Sequence, residues 1–190
     1  MTTDRYGTKG NRRYELVMGG LGGQGVLLAT QILIRAGMEE YPNVSWFPSY
    51  ATLVRGGDCE GTAILADEPI HSPLIYSPDA MVIMSMYALE TFIDRIAPGS
   101  LLILDSSLIS QTPDRDDVEL VQVPATQQAA DLGSSLAANL ILLGVYLRKT
   151  GALGIGAIEA ELTRTMVQEN KEAFLSTNLA ALKWGYQNFE

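Results

Sequence analysis

Short apolar runs and longer amphipathic stretches alternate along the chain, which is typical of an α/β protein. Continuous apolar runs predict strands that are buried on both faces of a sheet. The pattern therefore predicts a Rossmann-like, three-layer sheet with flanking helices and a helical C-terminal portion. The predicted strands are Tyr14–Met18, Val44–Tyr50, Asp58–Leu65, Ala80–Met86, Leu101–Leu104 and Glu119–Val123, and the predicted helices are Val26–Glu40, Ala88–Ile96 and the stretch from Thr126 to Asn188.

The segment before the first predicted strand is polar and basic. Its cations are Arg5, Lys9, Arg12 and Arg13, and it has no apolar run that would anchor it to a core. We therefore predict a disordered tail over residues 1–13 and one α/β domain over residues 14–190. No internal repeat or second domain boundary is visible in the sequence.

Composition narrows the class of protein. The chain has 190 residues, of which 47% are hydrophobic and 18% charged, and this composition predicts a folded globular domain. Its net charge of -9 disfavours nucleic acid as a partner, because an acidic body repels the phosphate backbone. No segment approaches the length of a membrane span. The expected location is cytoplasmic.

Cysteine and histidine are scarce. The single cysteine, Cys59, and the single histidine, His71, leave almost no ligands for zinc or an iron–sulfur cluster. Asp58 and Glu60 flank Cys59 and disfavour its thiolate, so we interpret it as a structural thiol. We predict neither a metal site nor a catalytic residue in this chain, and any redox centre should lie on another chain or in a diffusible cofactor.

The glycine-rich sequence GGLGGQG, from Gly19 to Gly25, joins the first predicted strand to the first predicted helix. Within it Gly20, Gly22 and Gly25 have the G-x-G-x-x-G spacing, which lets backbone N–H groups and a helix N-terminus approach a phosphate. The segment therefore predicts an anion or cofactor site. The alternative is a tight strand-to-helix turn in which glycine serves backbone geometry alone.

Two common nucleotide sites fit this segment poorly. An NAD site would place an acidic residue about 20 residues further on, at the end of the second strand. That strand ends in Trp46-Phe47-Pro48-Ser49-Tyr50, which contains no carboxylate. No Lys-Ser/Thr pair follows the glycines, so a P-loop is excluded.

A second motif, Arg55-Gly56-Gly57, combines a fixed cation with two residues that tolerate positive φ. By itself it is also consistent with a turn that carries an exposed arginine. Both motifs follow predicted strands at the edge where α/β folds bind ligands, so we predict one shared cleft. Its candidate ligand-binding residues are Gly20, Gly22, Gly23, Gln24, Gly25, Ser49, Tyr50, Arg55, Gly56 and Gly57.

Several segments together resemble a known family. From roughly Tyr14 to Gly185 the chain resembles the gamma subunits of 2-oxoacid:ferredoxin oxidoreductases. One departure is the segment ATLV at residues 51–54, where family members often carry a glycine and an acidic residue. The matching segments are GGLGGQGVLLATQIL, Pro48-Ser49-Tyr50, Arg55-Gly56-Gly57, Pro69-Ile70-His71-Ser72-Pro73, Ser77-Pro78-Asp79, Asn139 and Gly144 in NLILLG and, more weakly, Asn178 and Gly185.

The resemblance implies an accessory subunit of an enzyme that oxidatively decarboxylates a 2-oxoacid, with 2-oxoglutarate favoured, to an acyl-CoA and passes electrons to ferredoxin. In that family thiamine diphosphate and 4Fe–4S clusters are held mainly by partner subunits. The implied partners are alpha and beta subunits, a ferredoxin-like subunit and ferredoxin itself. The chain would line the active site and the access route of coenzyme A, and would be inactive alone.

The resemblance also implies roles for the candidate residues. The Gly20–Gly25 loop would offer backbone donors to a coenzyme A phosphate, and Gln24 would add a neutral side-chain donor. Arg55 would pair with a phosphate or with the substrate carboxylate, while Gly56 and Gly57 would allow close approach of a ligand or a partner.

Two other readings of the residues remain open. The first is a stand-alone small-molecule or nucleotide-binding α/β protein without redox activity, and the second is an independent NAD(P) oxidoreductase. The sequence leaves open the subunit stoichiometry and whether the isolated chain self-associates.

Overall fold

The strands form one mixed sheet in the computed structural model, which describes residues 6–7, 10–50 and 58–189, without the side chains of Tyr50 and Asp58. Spatial order across the sheet is β2-β3-β1-β4-β5-β6. The strands β1, β4, β5 and β6 are parallel, whereas β3 runs antiparallel to both of its neighbours, β1 and β2. The bounds are β1 (Arg13–Leu21), β2 (Asn43–Tyr50), β3 (Asp58–Ala66), β4 (Ala80–Ile83), β5 (Leu101–Asp105) and β6 (Glu119–Val123).

Helices cover both faces of the sheet, unequally. One face packs against α1, α4, α5 and α6 in the larger core, and the other packs against α2 in a smaller core. This layered arrangement confirms the predicted fold class. The helices are α1 (Val26–Gly37), α2 (Met86–Phe92), α3 (Ala125–Asp131), α4 (Ala138–Thr150), α5 (Ile155–Gln168) and α6 (Leu175–Gln187).

Element ends differ from the predicted ones where side chains intervene. The strand β1 continues through Gly19 and Gly20, which pair with Glu60 and Cys59 of β3. Gly19 also leaves room for α2, since a Cβ there would lie 2.8 Å from the ring of Phe92. The strand β4 ends earlier than predicted, since the Ser85 hydroxyl accepts a hydrogen bond from the N–H of Ala88 and so begins α2. The glycine loop is therefore shorter than the motif suggests.

The amino-terminal segment is fixed to the domain over part of the predicted tail. Arg12 donates from Nε and Nη2 to the carboxylate of Asp67, at 3.1 and 3.0 Å, and Tyr6 stacks on Tyr14 with ring centroids 4.6 Å apart. The strand β1 begins at Arg13. In these residues the structure differs from the predicted disorder, because an ion pair and an aromatic contact hold them. The predicted single domain from residue 14 onward stays a prediction.

We expect the Arg12–Asp67 contact to make the stability of the fold depend on pH in the acidic range. The hydrogen bonds from Arg12 hold the pKa of Asp67 well below its usual range. A lowered folded-state pKa stabilises the fold above the unfolded-state pKa of about 3.9, and this stabilisation is lost as the pH falls through the lowered value. Asp67→Asn should therefore lower the Tm at pH 7, and its Tm should converge with that of the wild type as the pH falls below about 4.

Thermal unfolding from pH 7 to pH 2.5 measures this effect. Glu68→Gln is the matched control, since Glu68 is an exposed carboxylate in the same turn. A constant Tm difference between wild type and Asp67→Asn across the whole range would show that the ionised Arg12–Asp67 contact is not responsible.

Candidate functional site

The glycine turn lies at the carboxyl end of β1 and leads directly into α1. The N–H of Gln24 donates to the carbonyl of Leu21 at 3.1 Å, and Gly23 has a φ of 101°, a value that L side chains rarely adopt. Gly25 follows with φ 75° and ψ 19° and is the N-cap of α1. Chain reversal at this point therefore depends on glycine at the third turn position and at the cap.

The side chain of Gln24 braces the turn. Its Oε1 accepts from the N–H of Leu21 at 2.6 Å, and its Nε2 donates to the carbonyl of Met84, just beyond β4, at 2.8 Å. The adjoining Gly20 leaves room for this amide, because a Cβ there would lie 2.6 Å from Oε1. The predicted ligand contact of Gln24 would have to use the second N–H of Nε2.

Backbone donors of the turn and of α1 gather at one end of the helix. Gly22 and Gly23 are exposed and Gln24 and Gly25 half-buried. Among the described residues no side chain caps the N-terminus of α1. The N–H groups and the dipole of such a helix end attract an anion. The geometry is thus suited to the predicted phosphate contact.

Asn139, on α4, also contacts the turn. Its Nδ2 donates to the carbonyl of Gly25 at 2.8 Å, and its side chain is buried. Sequence reasoning noted Asn139 only as part of a resemblance and gave it no role at the site. A polar residue within the apolar run LAANLILL was the available signal, because a buried amide needs a partner.

The end of β2 lies at the same edge of the sheet as the glycine turn. Across the sheet, Ser49 of β2 pairs with Glu60 of β3, and Glu60 pairs with Gly19 of β1. In the same way Tyr50 pairs with Cys59, and Cys59 pairs with Gly20. Two strand spacings separate the paired rows, a distance of about 10 Å. The structure therefore brings the backbones of Ser49 and Tyr50 to the predicted edge.

The second predicted motif lies outside the described residues. Arg55, Gly56 and Gly57 belong to the segment 51–57, for which the structure gives no description. Their participation in one cleft with the glycine turn stays a prediction.

A cavity of about 320 Å³ lies on the α2 side of β2 and β3 and includes Ser49. Its walls carry an ion pair, in which Nη2 of Arg95 lies 2.8 Å from a carboxylate oxygen of Glu60 and also donates to the carbonyl of Ile75 at 2.8 Å. Sequence reasoning missed Arg95 and Glu60, because only the packing of the segment after α2 against β3 brings them together. The remaining lining residues are Phe47, Thr62, Leu74 and Tyr76.

A smaller cavity of about 210 Å³ lies beside the first turn of α1 and has mainly apolar walls. Asn139 lines it on one side, so the cavity and the glycine turn share this residue. At its rim Leu136 and Phe174 are 72% and 56% exposed. Such exposed apolar side chains are typical of surfaces that contact a ligand or another protein.

Three further titratable side chains lie away from the glycine turn or inside the fold: Cys59 and Asp105 are buried, and His71 is exposed. Burial raises the pKa of the Cys59 thiol. Asp105 is fully buried, and its carboxylate accepts from the backbone and hydroxyl of Thr126 at the start of α3. His71 is exposed in a loop. Within the described ranges, His, Cys, Asp and Glu form no group that could hold a metal ion, and the described helices include none long and apolar enough to cross a membrane.

Comparison with protein families gives a match over most of the chain. The model of the family described as pyruvate ferredoxin/flavodoxin oxidoreductase matches residues 15–188. Among curated relatives, the 2-oxoglutarate synthase subunit KorC of Methanothermobacter marburgensis is 30% identical over 167 residues, which cover 84% of this chain and 90% of KorC.

A second relative is much longer than this chain. The ketoisovalerate oxidoreductase subunit VorA of Methanothermobacter thermautotrophicus is 32% identical over 178 residues, which cover 90% of this chain. The match spans only 36% of VorA, so the chain corresponds to about a third of that protein.

Solved structures share the fold. The gamma subunit of a keto/oxoacid ferredoxin oxidoreductase from Geobacter sulfurreducens has a TM-score of 0.77 and 26% identity, with 92% of this chain and 95% of that chain covered. A 2-oxoglutarate:ferredoxin oxidoreductase from Magnetococcus marinus, solved with 2-oxoglutarate, coenzyme A and succinyl-CoA, has a TM-score of 0.82, with 91% of this chain and 30% of that chain covered. At 20% identity this second likeness shows the fold alone.

Proposed function

Because the chain belongs to the pyruvate ferredoxin/flavodoxin oxidoreductase family, we propose that it is the gamma subunit of a thiamine-diphosphate-dependent 2-oxoacid:ferredoxin oxidoreductase. One observation carries the proposal: the match extends over 90% of KorC, a separate subunit of about the same length as this chain. The assembled enzyme converts a 2-oxoacid and coenzyme A to an acyl-CoA and carbon dioxide, and reduces ferredoxin.

The redox cofactors are assigned to partner subunits. A 4Fe–4S cluster takes about four cysteine thiolates, whereas this chain has one cysteine. Thiamine diphosphate supplies the carbanion chemistry when it is bound in the complex. The family resemblance implies the partners of this proposal, which are alpha and beta subunits, a ferredoxin-like subunit and ferredoxin, and we expect no turnover from the chain alone.

The contribution of this chain is to bind and orient the anionic part of coenzyme A at the carboxyl edge of the sheet. Backbone N–H groups of the glycine turn and of the α1 N-terminus donate to a phosphate. The support is the exposed turn and the uncapped helix end among the described residues. Ser49, Tyr50 and the Arg55-Gly56-Gly57 motif complete the proposed site, and Gln24 is its proposed neutral donor.

We take 2-oxoglutarate as the substrate. The support is the similarity to KorC subunits of two organisms. The match covers 90% of the Methanothermobacter marburgensis KorC and 93% of the Methanocaldococcus jannaschii KorC. The purified complex should turn over 2-oxoglutarate with a higher kcat/KM than pyruvate or 3-methyl-2-oxobutanoate. A preference for 3-methyl-2-oxobutanoate would favour the VorA-like alternative instead.

Arg55→Ala should raise the KM for coenzyme A in the assembled enzyme about tenfold or more, because a hydrogen bond between two charged groups is lost. Steady-state kinetics of 2-oxoacid-dependent dye reduction measures the change. Arg148→Ala is the matched control, since Arg148 is exposed near the end of α4, far along the helix from the glycine turn. Unchanged coenzyme A kinetics and unchanged assembly in Arg55→Ala would refute the role.

A further inference from the structure

The orientation of the glycine turn depends on a buried amide that no ligand is expected to touch. Asn139 is 2% exposed and stands among the buried apolar side chains of α4, where an apolar residue would cost less to bury. Its two polar atoms are both used: Nδ2 donates to the carbonyl of Gly25 at 2.8 Å, and Oδ1 accepts from the N–H of Leu140 at 2.9 Å.

The fit between Asn139 and Gly25 is mutual. Gly25 has the left-handed φ of 75°, and a Cβ at this residue would lie 2.3 Å from Nδ2 of Asn139. The amide therefore occupies the space that any other residue at position 25 would need. The carbonyl of Gly25 also accepts from the N–H of Ala29 at 3.0 Å, so it is held from α1 and from α4 together.

This double contact fixes the direction of a backbone donor. The peptide bond between Gly25 and Val26 is trans, since the described residues contain no cis peptide. In a trans peptide the C=O and the N–H point in opposite directions. When Asn139 and Ala29 hold the Gly25 carbonyl against the helices, the N–H of Val26 points away from them, out of the α1 N-terminus.

We propose that Asn139 is a positioning residue, which sets the backbone donors at the N-terminus of α1 in the orientation that receives the anionic part of the coenzyme A ligand. The inference rests on the proposed function of this turn. Asn139 acts through Gly25 and touches neither the ligand nor the reacting atoms.

Asn139→Asp in the assembled complex tests the proposal. This variant keeps the side-chain size and the acceptor for Leu140, but it replaces the donor to Gly25 by a carboxylate oxygen that repels the carbonyl. The KM for coenzyme A should rise about tenfold, with the KM for the 2-oxoacid unchanged and kcat reduced by less than about threefold. A purely structural role would lower the Tm without this selective rise.

Asn43→Asp is the matched control. Nδ2 of Asn43 donates to the carbonyl of Asp67 at 3.1 Å, an amide-to-backbone bond at the start of β2 and hence at the opposite edge of the sheet. The Asn43→Asp substitution should reduce thermal stability and leave the KM for coenzyme A as in the wild type. If Asn139→Asp does not assemble, Asn139→Leu, which fills the same space without a donor, should show the same rise.

The possible outcomes distinguish failure of the proposed function from failure of the positioning role of Asn139. Absence of coenzyme A-dependent turnover in the wild-type complex would refute the proposed function. A wild-type complex that is active, together with Asn139 variants whose KM for coenzyme A stays within about twofold of the wild type, would refute the positioning role alone.

Discussion

Replacing Gly185 by alanine should destabilise the chain by about 2–3 kcal/mol, because the substitution forces α4 and α6 apart. A Cβ on Gly185 would lie 2.0 Å from the carbonyl oxygen of Ile141, and one on the facing Gly144 would lie 2.3 Å from that of Leu182. Both obstacles are backbone atoms, which cannot turn aside as a side chain can. Thermal unfolding should show a fall in Tm of about 5–10 °C.

Gly156→Ala is the control for this prediction. Gly156 lies in α5 and is exposed, and nothing described comes within 4 Å of the Cβ that alanine would add. Alanine there should stabilise the chain by about 0.5–1 kcal/mol through its helix propensity. If Gly185→Ala behaved like Gly156→Ala, the close backbone contact between α4 and α6 would be incorrect.

Gly25→Ala should cost about 2–5 kcal/mol, from two separate causes. A non-glycine residue in the left-handed region costs about 1–2 kcal/mol. Displacement of the Asn139 amide leaves buried polar atoms without partners, which costs about 1–3 kcal/mol more. Urea unfolding at pH 7 measures the sum.

The two causes can be separated with variants in the same turn. Gly23→Ala carries only the backbone cost, because φ is 101° and no described atom lies within 4 Å of the added Cβ. It should therefore cost less than Gly25→Ala. In the double variant Gly25→Ala/Asn139→Ala the effects should be less than additive, since the contact is removed once. Strict additivity would contradict the proposed contact.

The strands β4 and β5 were predictable from the sequence because every residue of both is buried and nearly all are apolar. The run AMVI at Ala80–Ile83 and the run LLIL within Leu101–Asp105 are fully buried between two helical layers, so their hydrophobicity reports their position directly. The boundary between β4 and α2 was predicted less well, because a single side chain, that of Ser85, sets it.

Local sequence patterns predicted neither the direction of each strand nor the contacts between residues that are far apart in the sequence. Nothing in the composition of β3 shows that it runs antiparallel to β1, because strand direction follows from the connection and from the packing of the neighbours. The Arg95–Glu60 ion pair could not be predicted from local sequence either, because packing brings its two residues together. The ligand contact of Gln24, which the family resemblance implies, stays a prediction, and local sequence gave no sign that Gln24 also donates to the carbonyl of Met84, 60 positions away in sequence.

We propose above that this chain works as the gamma subunit of a 2-oxoacid:ferredoxin oxidoreductase. Affinity purification of the tagged chain from its native, anaerobic extract, with mass spectrometry and an assay of 2-oxoacid- and coenzyme A-dependent dye reduction, tests it most directly. We expect recovery of thiamine-diphosphate and iron–sulfur partner subunits together with that activity. Recovery of the chain without such partners and without activity would refute the gamma-subunit function and favour a stand-alone binding protein.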